Sequence, residues 1–194
     1  MVKSIGNKKI KTAVFISGKG TNLRNLIKFS KLKKSPIKIC LVLSSNRLAK
    51  GLDYAKKYLI KMKIYNFTNK KKAEFLILKD LKINRIDLIC LAGFMKILSP
   101  DFIKKFKGKI LNIHPSLLPK YKGLNTHARA IKNKDKYSGC TVHLVNAKLD
   151  SGKIILQKKI RIFKRDTAYK LKKRVQKQEY KLYPKAIGKL YFNL

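Results

Sequence analysis

The chain has 194 residues, 45% of them apolar, enough for one domain with a real core and too many for a disordered tail. Its net charge is +40, from 49 lysines and arginines against 9 acids. No apolar run approaches the length needed to cross a bilayer, no signal-peptide apolar region follows the basic start, and three scattered cysteines argue against a disulfide framework or a zinc site. These features point to a reduced, cytoplasmic protein, expected to form a single domain over residues 1–194.

Short apolar runs alternate with amphipathic stretches, which predicts an α/β architecture: a mostly parallel twisted sheet with helices on both faces. The first strand is expected over Thr12 to Ser17. It runs into Gly18-Lys19-Gly20-Thr21-Asn22 and then a helix with Leu23, Leu26, Ile27 and Ser30 on one face. Ile37 to Ser44 is β-branched and apolar, a second strand; a helix over about 48–58 and a short strand near Ile64 to Phe67 follow. Lys70 to Ile83 reads as helix, and Asp87 to Ala92 as a buried strand ending at Gly93. Pro100 suits the first turn of a helix reaching about Phe106. Ile110 to His114 is the next strand, followed by a proline-rich turn and a helix from about Thr126 to Lys132. Gly139 to Asn146 and Lys153 to Ile162 read as two strands. The last helix starts at Asp166 or Thr167, either of which could cap it, and Pro184 is expected to kink or restart it.

The charge admits two explanations. A nucleic-acid binder carries a dense positive surface. A lysine-rich composition fills solvent-facing positions with lysine. Lysine is strewn through nearly every segment here and arginine, the better residue for phosphate and base recognition, is scarce by comparison. The compositional explanation is favoured, and nucleic acid is not the expected partner. A general positive field could still steer small anionic substrates.

Chemistry gathers at Ile110 to Gly123. Asn112 and His114 are two residues apart on a strand and so face the same side. One donates a hydrogen bond without changing charge; the other can also carry a proton near neutral pH. That suits a carbonyl carbon, where negative charge builds on oxygen and a proton must move. Asp150 is one of only 9 acids. Near His114 it would raise the imidazole's pKa and hold it protonated; alternatively it forms an Asx-type turn in Asp-Ser-Gly. His143 could line the same site or be a satisfied strand histidine. His127 is read as positioning its helix or touching substrate. Ser17 to Leu23 offers glycines and a helix N-terminus, which suit a phosphate, although a plain tight turn has the same form; the spacing matches neither dinucleotide nor triphosphate loops. Ala92 to Leu98 could make a flat pocket for an aromatic ring beyond a strand end, or a connection packed on the core.

Together these motifs, in this order and nearly end to end, resemble the phosphoribosylglycinamide formyltransferases, a folate-dependent family. The carriers are Ala13 to Leu23, Leu91 to Pro100, Asn112 to Gly123, Gly139 to Val145, Leu149 to Gly152 and Arg174 to Pro184. The resemblance implies a Rossmann-like formyltransferase fold that moves a formyl group from 10-formyltetrahydrofolate to the amine of glycinamide ribonucleotide, with no metal. It implies Asn112, His114 and Asp150 as the catalytic trio, with Asp150 keeping His114 cationic. It implies Gly20, Thr21 and Asn22 at the ribonucleotide phosphate and Glu179 at the ribose. Met95, Lys96, Ile97 and Leu98 would meet the pterin, with Asn112 also touching the folate and Lys70 matching a residue at the folate tail. Lys96 stands where the family usually has arginine. The oligomeric state is left open between monomer and homodimer.

Three rivals stand beside this reading. A methionyl-tRNA formyltransferase shares the Asn-x-His and Asp pattern, but is expected to need a further C-terminal domain and a different first loop. A formyltetrahydrofolate hydrolase is expected to carry an extra N-terminal domain. A non-catalytic nucleic-acid-binding module explains the charge and leaves Asn112, His114 and Asp150 without a purpose.

Overall fold

The computed structural model describes residues 9–192. The basic opening stretch, residues 1–8, lies outside the described residues. Seven strands form one sheet in the order β3-β2-β1-β4-β5-β6-β7. They are β1 (Ile10–Ile16), β2 (Ile37–Ser44), β3 (Met62–Ile64), β4 (Leu88–Leu91), β5 (Lys109–His114), β6 (Tyr137–Leu144) and β7 (Ile154–Arg161). Every pairing from β3 across to β5 is parallel; β6 and β7 add antiparallel. The helices are α1 (Thr21–Ser30), α2 (Gly51–Lys57), α3 (Lys70–Ile83), α4 (Pro100–Lys105), α5 (Thr126–Lys132) and α6 (Ala168–Phe192).

Alternation along β1 shows how the layers form. Val14 and Ile16 face a cluster that takes Leu23, Leu26 and Ile27 of α1, Ala130 of α5, and Leu171, Val175 and Tyr183 of α6. Ala13 and Phe15 face the other cluster, with Ile77 and Leu81 of α3 and Phe102 of α4. Helices therefore cover both faces, and the central strands are apolar on both sides, as parallel strands must be. Each fully buried Leu or Ile among these contributes about 1.5–3 kcal/mol.

Local chemistry sets the helix starts. The Asn69 side chain accepts from the Lys72 N–H at 3.0 Å, and Ser99 accepts from the Phe102 N–H at 3.0 Å with Pro100 in the first turn. Of the two candidate caps for α6, Thr167 serves: its Oγ1 accepts from the Lys170 N–H at 3.2 Å. Asp166 instead accepts from the Phe163 N–H at 2.9 Å and pairs with Arg174. Pro184 does not restart the helix, which runs on to Phe192. Proline cannot donate to the carbonyl four residues back; that carbonyl, on Tyr180, accepts from Asn25 Nδ2 at 2.6 Å instead.

Some edges differ from the expected ones. β3 is Met62–Ile64, not Ile64 to Phe67. It is a three-residue edge strand, exposed throughout, so no burial pattern marks it in the sequence. α2 begins at Gly51, three residues later than expected. β6 begins two residues earlier, at Tyr137, because pairing with β7 extends to Tyr137 opposite Arg161. No helix among the described residues is long and apolar enough to cross a membrane.

Strand order reverses beside β1, whose neighbours β2 and β4 lie on opposite sides. The carboxyl ends of β1, β4 and β5 therefore open on one crevice, where ligands collect in such sheets. Ser17, just after β1, donates its N–H to the Gly93 carbonyl at 3.1 Å, and its Oγ accepts from the Met95 N–H at 2.8 Å. Tyr183, fully buried on α6, hydrogen-bonds the carbonyls of Leu91 and Leu111 at 3.1 and 3.0 Å. The last helix is thus pinned directly beneath the crevice.

Candidate active site

Asn112 and His114 stand at the end of β5, where Asn112 pairs with Leu91 of β4 on one side and with His143 of β6 on the other. His143 donates from Nδ1 to its neighbour's carbonyl, on Leu144, at 2.8 Å, which leaves Nε2 to accept from Asn112 Nδ2 at 3.2 Å. His143 therefore lines the cluster. Of the two readings the sequence left open for His143, its place opposite Asn112, fixed by the pairing of β5 with β6, favours the one that lines the site.

Asp150 lies on the β6–β7 turn, with a left-handed φ of 45°. The turn closes tightly: a Cβ on Gly152 would fall 1.8 Å from the Leu144 carbonyl oxygen, so only glycine fits there. The carboxylate does not serve its own turn. Oδ2 accepts from the Gly123 N–H at 2.9 Å and lies 3.3 Å from His114 Nδ1. Oδ1 lies 3.4 Å from Asn112 Nδ2 and 3.7 Å from His143 Nε2. One carboxylate thus ties together the amide, both imidazoles and the turn after β5.

His114 is 5% exposed. Its Nε2 meets the Tyr121 carbonyl at 2.8 Å and its Nδ1 meets Asp150. Each ring nitrogen faces an oxygen acceptor; a neutral imidazole satisfies one of them, an imidazolium both. Burial opposes the charge and outweighs the Tyr121 and Asp150 contributions, with His143 and Arg129 adding to the lowering, so His114 titrates below 6.5. Asp150 thus pulls the ring toward the cationic form, as expected, while burial pulls the other way and is the larger influence. Burial alone would raise Asp150, but contact with His143, the Gly123 N–H and the nearby histidine rings hold it below the usual carboxylate value.

The loop after β1 forms the second part of the crevice. Gly20 has φ 68°, and a Cβ there would lie 2.4 Å from the Gly51 Cα, so its glycine is demanded by backbone approach as well as by conformation. Beyond it the first N–H groups of α1 are free. Gln176 donates to Thr21 Oγ1 at 2.9 Å, and Asn22 Nδ2 donates to Glu179 Oε2 at 2.8 Å. Asn22 is 9% exposed and its Oδ1 has no partner. Burial raises the Glu179 pKa, against the Asn22 hydrogen bond and the charge of Lys172.

The third part is the loop after β4. Met95 and Ile97 are each 64% exposed and Lys96 is exposed, whereas Leu98 is buried in the core. Phe94 packs edge-on against Phe15 and Phe67. Glu74 of α3 fixes the far end of the loop through the Ser99 N–H at 2.8 Å and the Ser99 hydroxyl at 2.5 Å. Lys70 is exposed in the first turn of α3, one turn before Glu74. His127, on α5, has a buried Nδ1 without a partner, and burial, Lys172 and His114 lower its pKa to about 4.

A doubly covered, mostly parallel sheet, with an amide, imidazoles and a carboxylate converging beyond its strand ends, is the frame of a Rossmann-like formyltransferase. The profile of the formyl transferase family matches residues 10–187, and the chain belongs to that family. It is 47% identical over 180 residues to phosphoribosylglycinamide formyltransferase of Haemophilus influenzae, covering 91% of this chain and 85% of that one. Against the human trifunctional purine biosynthetic protein adenosine-3 it is 42% identical over 95% of this chain, but this spans only 18% of that longer protein. The crystal structure of phosphoribosylglycinamide formyltransferase from Brucella melitensis superposes with a TM-score of 0.89 at 41% identity, covering 94% of this chain and 96% of that one. Within the wider family, the chain stands among the phosphoribosylglycinamide formyltransferases.

Proposed function

We propose that the protein transfers the formyl group of 10-formyltetrahydrofolate to the amine of glycinamide ribonucleotide, a step in making purine nucleotides. The observation that carries this reading is the single Asp150 carboxylate, which gathers Asn112, His114 and His143 beside an anion-type helix N-terminus. The family profile and the relatives favour it over a non-catalytic nucleic-acid module.

The amine lone pair attacks the formyl carbon, and the carbonyl electron pair moves onto oxygen. Asn112 Nδ2 donates to that oxyanion, releasing its longer, 3.4 Å contact with Asp150. Neutral His114 gains the proton shed by the attacking amine. The resulting imidazolium is the form that satisfies both Tyr121 and Asp150, and its positive charge favours the nearby oxyanion. The oxyanion then re-forms its double bond, the bond to the folate nitrogen breaks, and His114 returns the proton to that nitrogen. Matching the proton's origin to its destination keeps the enzyme unchanged over a cycle.

In this reading Gly20, Thr21 and the first turn of α1 receive the phosphate, and Asn22 with Glu179 meets the ribose. The unpartnered Asn22 Oδ1 is free to accept from a ligand hydroxyl. The exposed Met95 and Ile97 offer apolar surface for the pterin ring, with Lys96 between them, and the exposed Lys70 would meet the folate's acidic tail. We place the enzyme, as one formyltransferase domain, in the cytoplasm. The test is formylation of glycinamide ribonucleotide by the wild type and by His114→Ala. The variant should keep its circular dichroism spectrum and lose turnover by about two to four orders of magnitude; near-normal turnover would remove His114 from this role.

A further inference from the structure

Helices α1 and α6 lie side by side and run the same way. Thr21 meets Gln176, Asn22 meets Glu179 and Asn25 meets the Tyr180 carbonyl, at 2.9, 2.8 and 2.6 Å. Lys172 is one turn before Gln176 and two before Glu179, on the same stripe of α6. Four residues of helix rise about 6 Å. Lys172 therefore stands past the N-terminus of α1, over the mouth of the Ser17–Gly20 loop, where the free N–H groups of α1 point. It is exposed and makes no ion pair among the described residues. Its nearest acid on that stripe, Glu179, is already held by Asn22. The charge of Lys172 reaches both Glu179 on α6 and His127 on α5. The buried, unpartnered Asn22 Oδ1 marks the same corner as one that expects a ligand.

We propose that Lys172 is a specificity residue for the phosphorylated form of the acceptor, its ammonium completing on the α6 side the anion cradle that Gly20, Thr21 and the N-terminus of α1 form on the other. This rests on the reading of residues 20–22 as the ribonucleotide site. A cation facing a helix N-terminus leaves room for an anion between them, and the two attract it from opposite sides. It also separates one lysine with a defined task from the many that only fill the surface.

The test compares kcat/KM for glycinamide ribonucleotide with that for its 5′-dephosphorylated riboside. In Lys172→Gln the preference for the ribonucleotide should fall about tenfold or more, mainly through KM. Lys172→Arg should restore most of it. Lys181→Gln removes the same charge from an exposed position on the opposite side of α6 and should change the preference by less than about twofold. A Lys172→Gln preference within twofold of wild type, or an equal loss in Lys181→Gln, overturns the proposal. If the wild type fails to turn over the ribonucleotide, the functional reading falls. Binding of inorganic phosphate by calorimetry then decides for Lys172: weakened affinity in Lys172→Gln supports it, and unchanged affinity overturns it.

Discussion

Replacing Asp150 with asparagine removes a charge while keeping the side chain's shape and its acceptor for the Gly123 N–H. At 3.3 Å from His114 Nδ1, in an effective dielectric near 20, the carboxylate attracts an imidazolium by about 5 kcal/mol. Each 1.4 kcal/mol, roughly, is tenfold in rate, so losing the whole of it would slow any step through the imidazolium by about three to four orders of magnitude. Asparagine's own dipole and water entering the crevice recover part of this, and a fall in kcat of about two to three orders of magnitude is expected. The His114 resonance, followed by NMR against pH, should move further below its already lowered position, because burial stays and the raising contribution of Asp150 goes. The KM for the ribonucleotide should stay near its wild-type value, since Asp150 touches neither Thr21 nor Asn22. Turnover within about threefold of wild type, or a His114 titration that does not move, would mean that Asp150 does not support the imidazolium.

Gly20→Ala must place a Cβ 2.4 Å from the Gly51 backbone at φ 68°. Left-handed strain and overpacking together should cost about 2–4 kcal/mol in urea unfolding, with a raised KM for the ribonucleotide; a loss below about 0.5 kcal/mol would mean that the loop is not held there. His127 titrates at about 4 folded and at 6.5 unfolded. The unfolded chain therefore binds more protons in between, and the stability due to His127 is full above 6.5 and falls away as the pH drops toward 4. His114 acts in the same sense and Glu179 in the opposite one. The difference in unfolding free energy between wild type and His127→Gln should thus shrink from pH 7 to pH 4.5, and a constant difference would contradict the assignment.

Where burial and period coincide, the sequence was enough. Ile37–Ser44, Lys70–Ile83 and Thr126–Lys132 fall where β-branched runs or helical stripes mark them. The sequence places β3 two residues late because all three of its residues are exposed and its bounds depend on pairing with Val42 to Ser44 of β2. In the site, the facing of Asn112 and His114 follows from the two-residue period of a strand. The place of Asp150 does not, because it arises from the Gly152 turn folding back to Gly123, 27 residues away in sequence. His143 enters through strand register, and the protonation of His114 depends on burial, which spacing along a chain does not record. Among the described residues four ion pairs involve a lysine or arginine, which leaves most lysines to solvent.

Which acceptor receives the formyl group is decided by one assay. Purified protein is given 10-formyltetrahydrofolate with glycinamide ribonucleotide in one reaction and with methionyl-tRNA in another, and the formylated products are quantified. Formylation of the ribonucleotide, with none of the tRNA, is the predicted result. Formylation of the tRNA alone, or of neither, would overturn the assignment of glycinamide ribonucleotide as the acceptor.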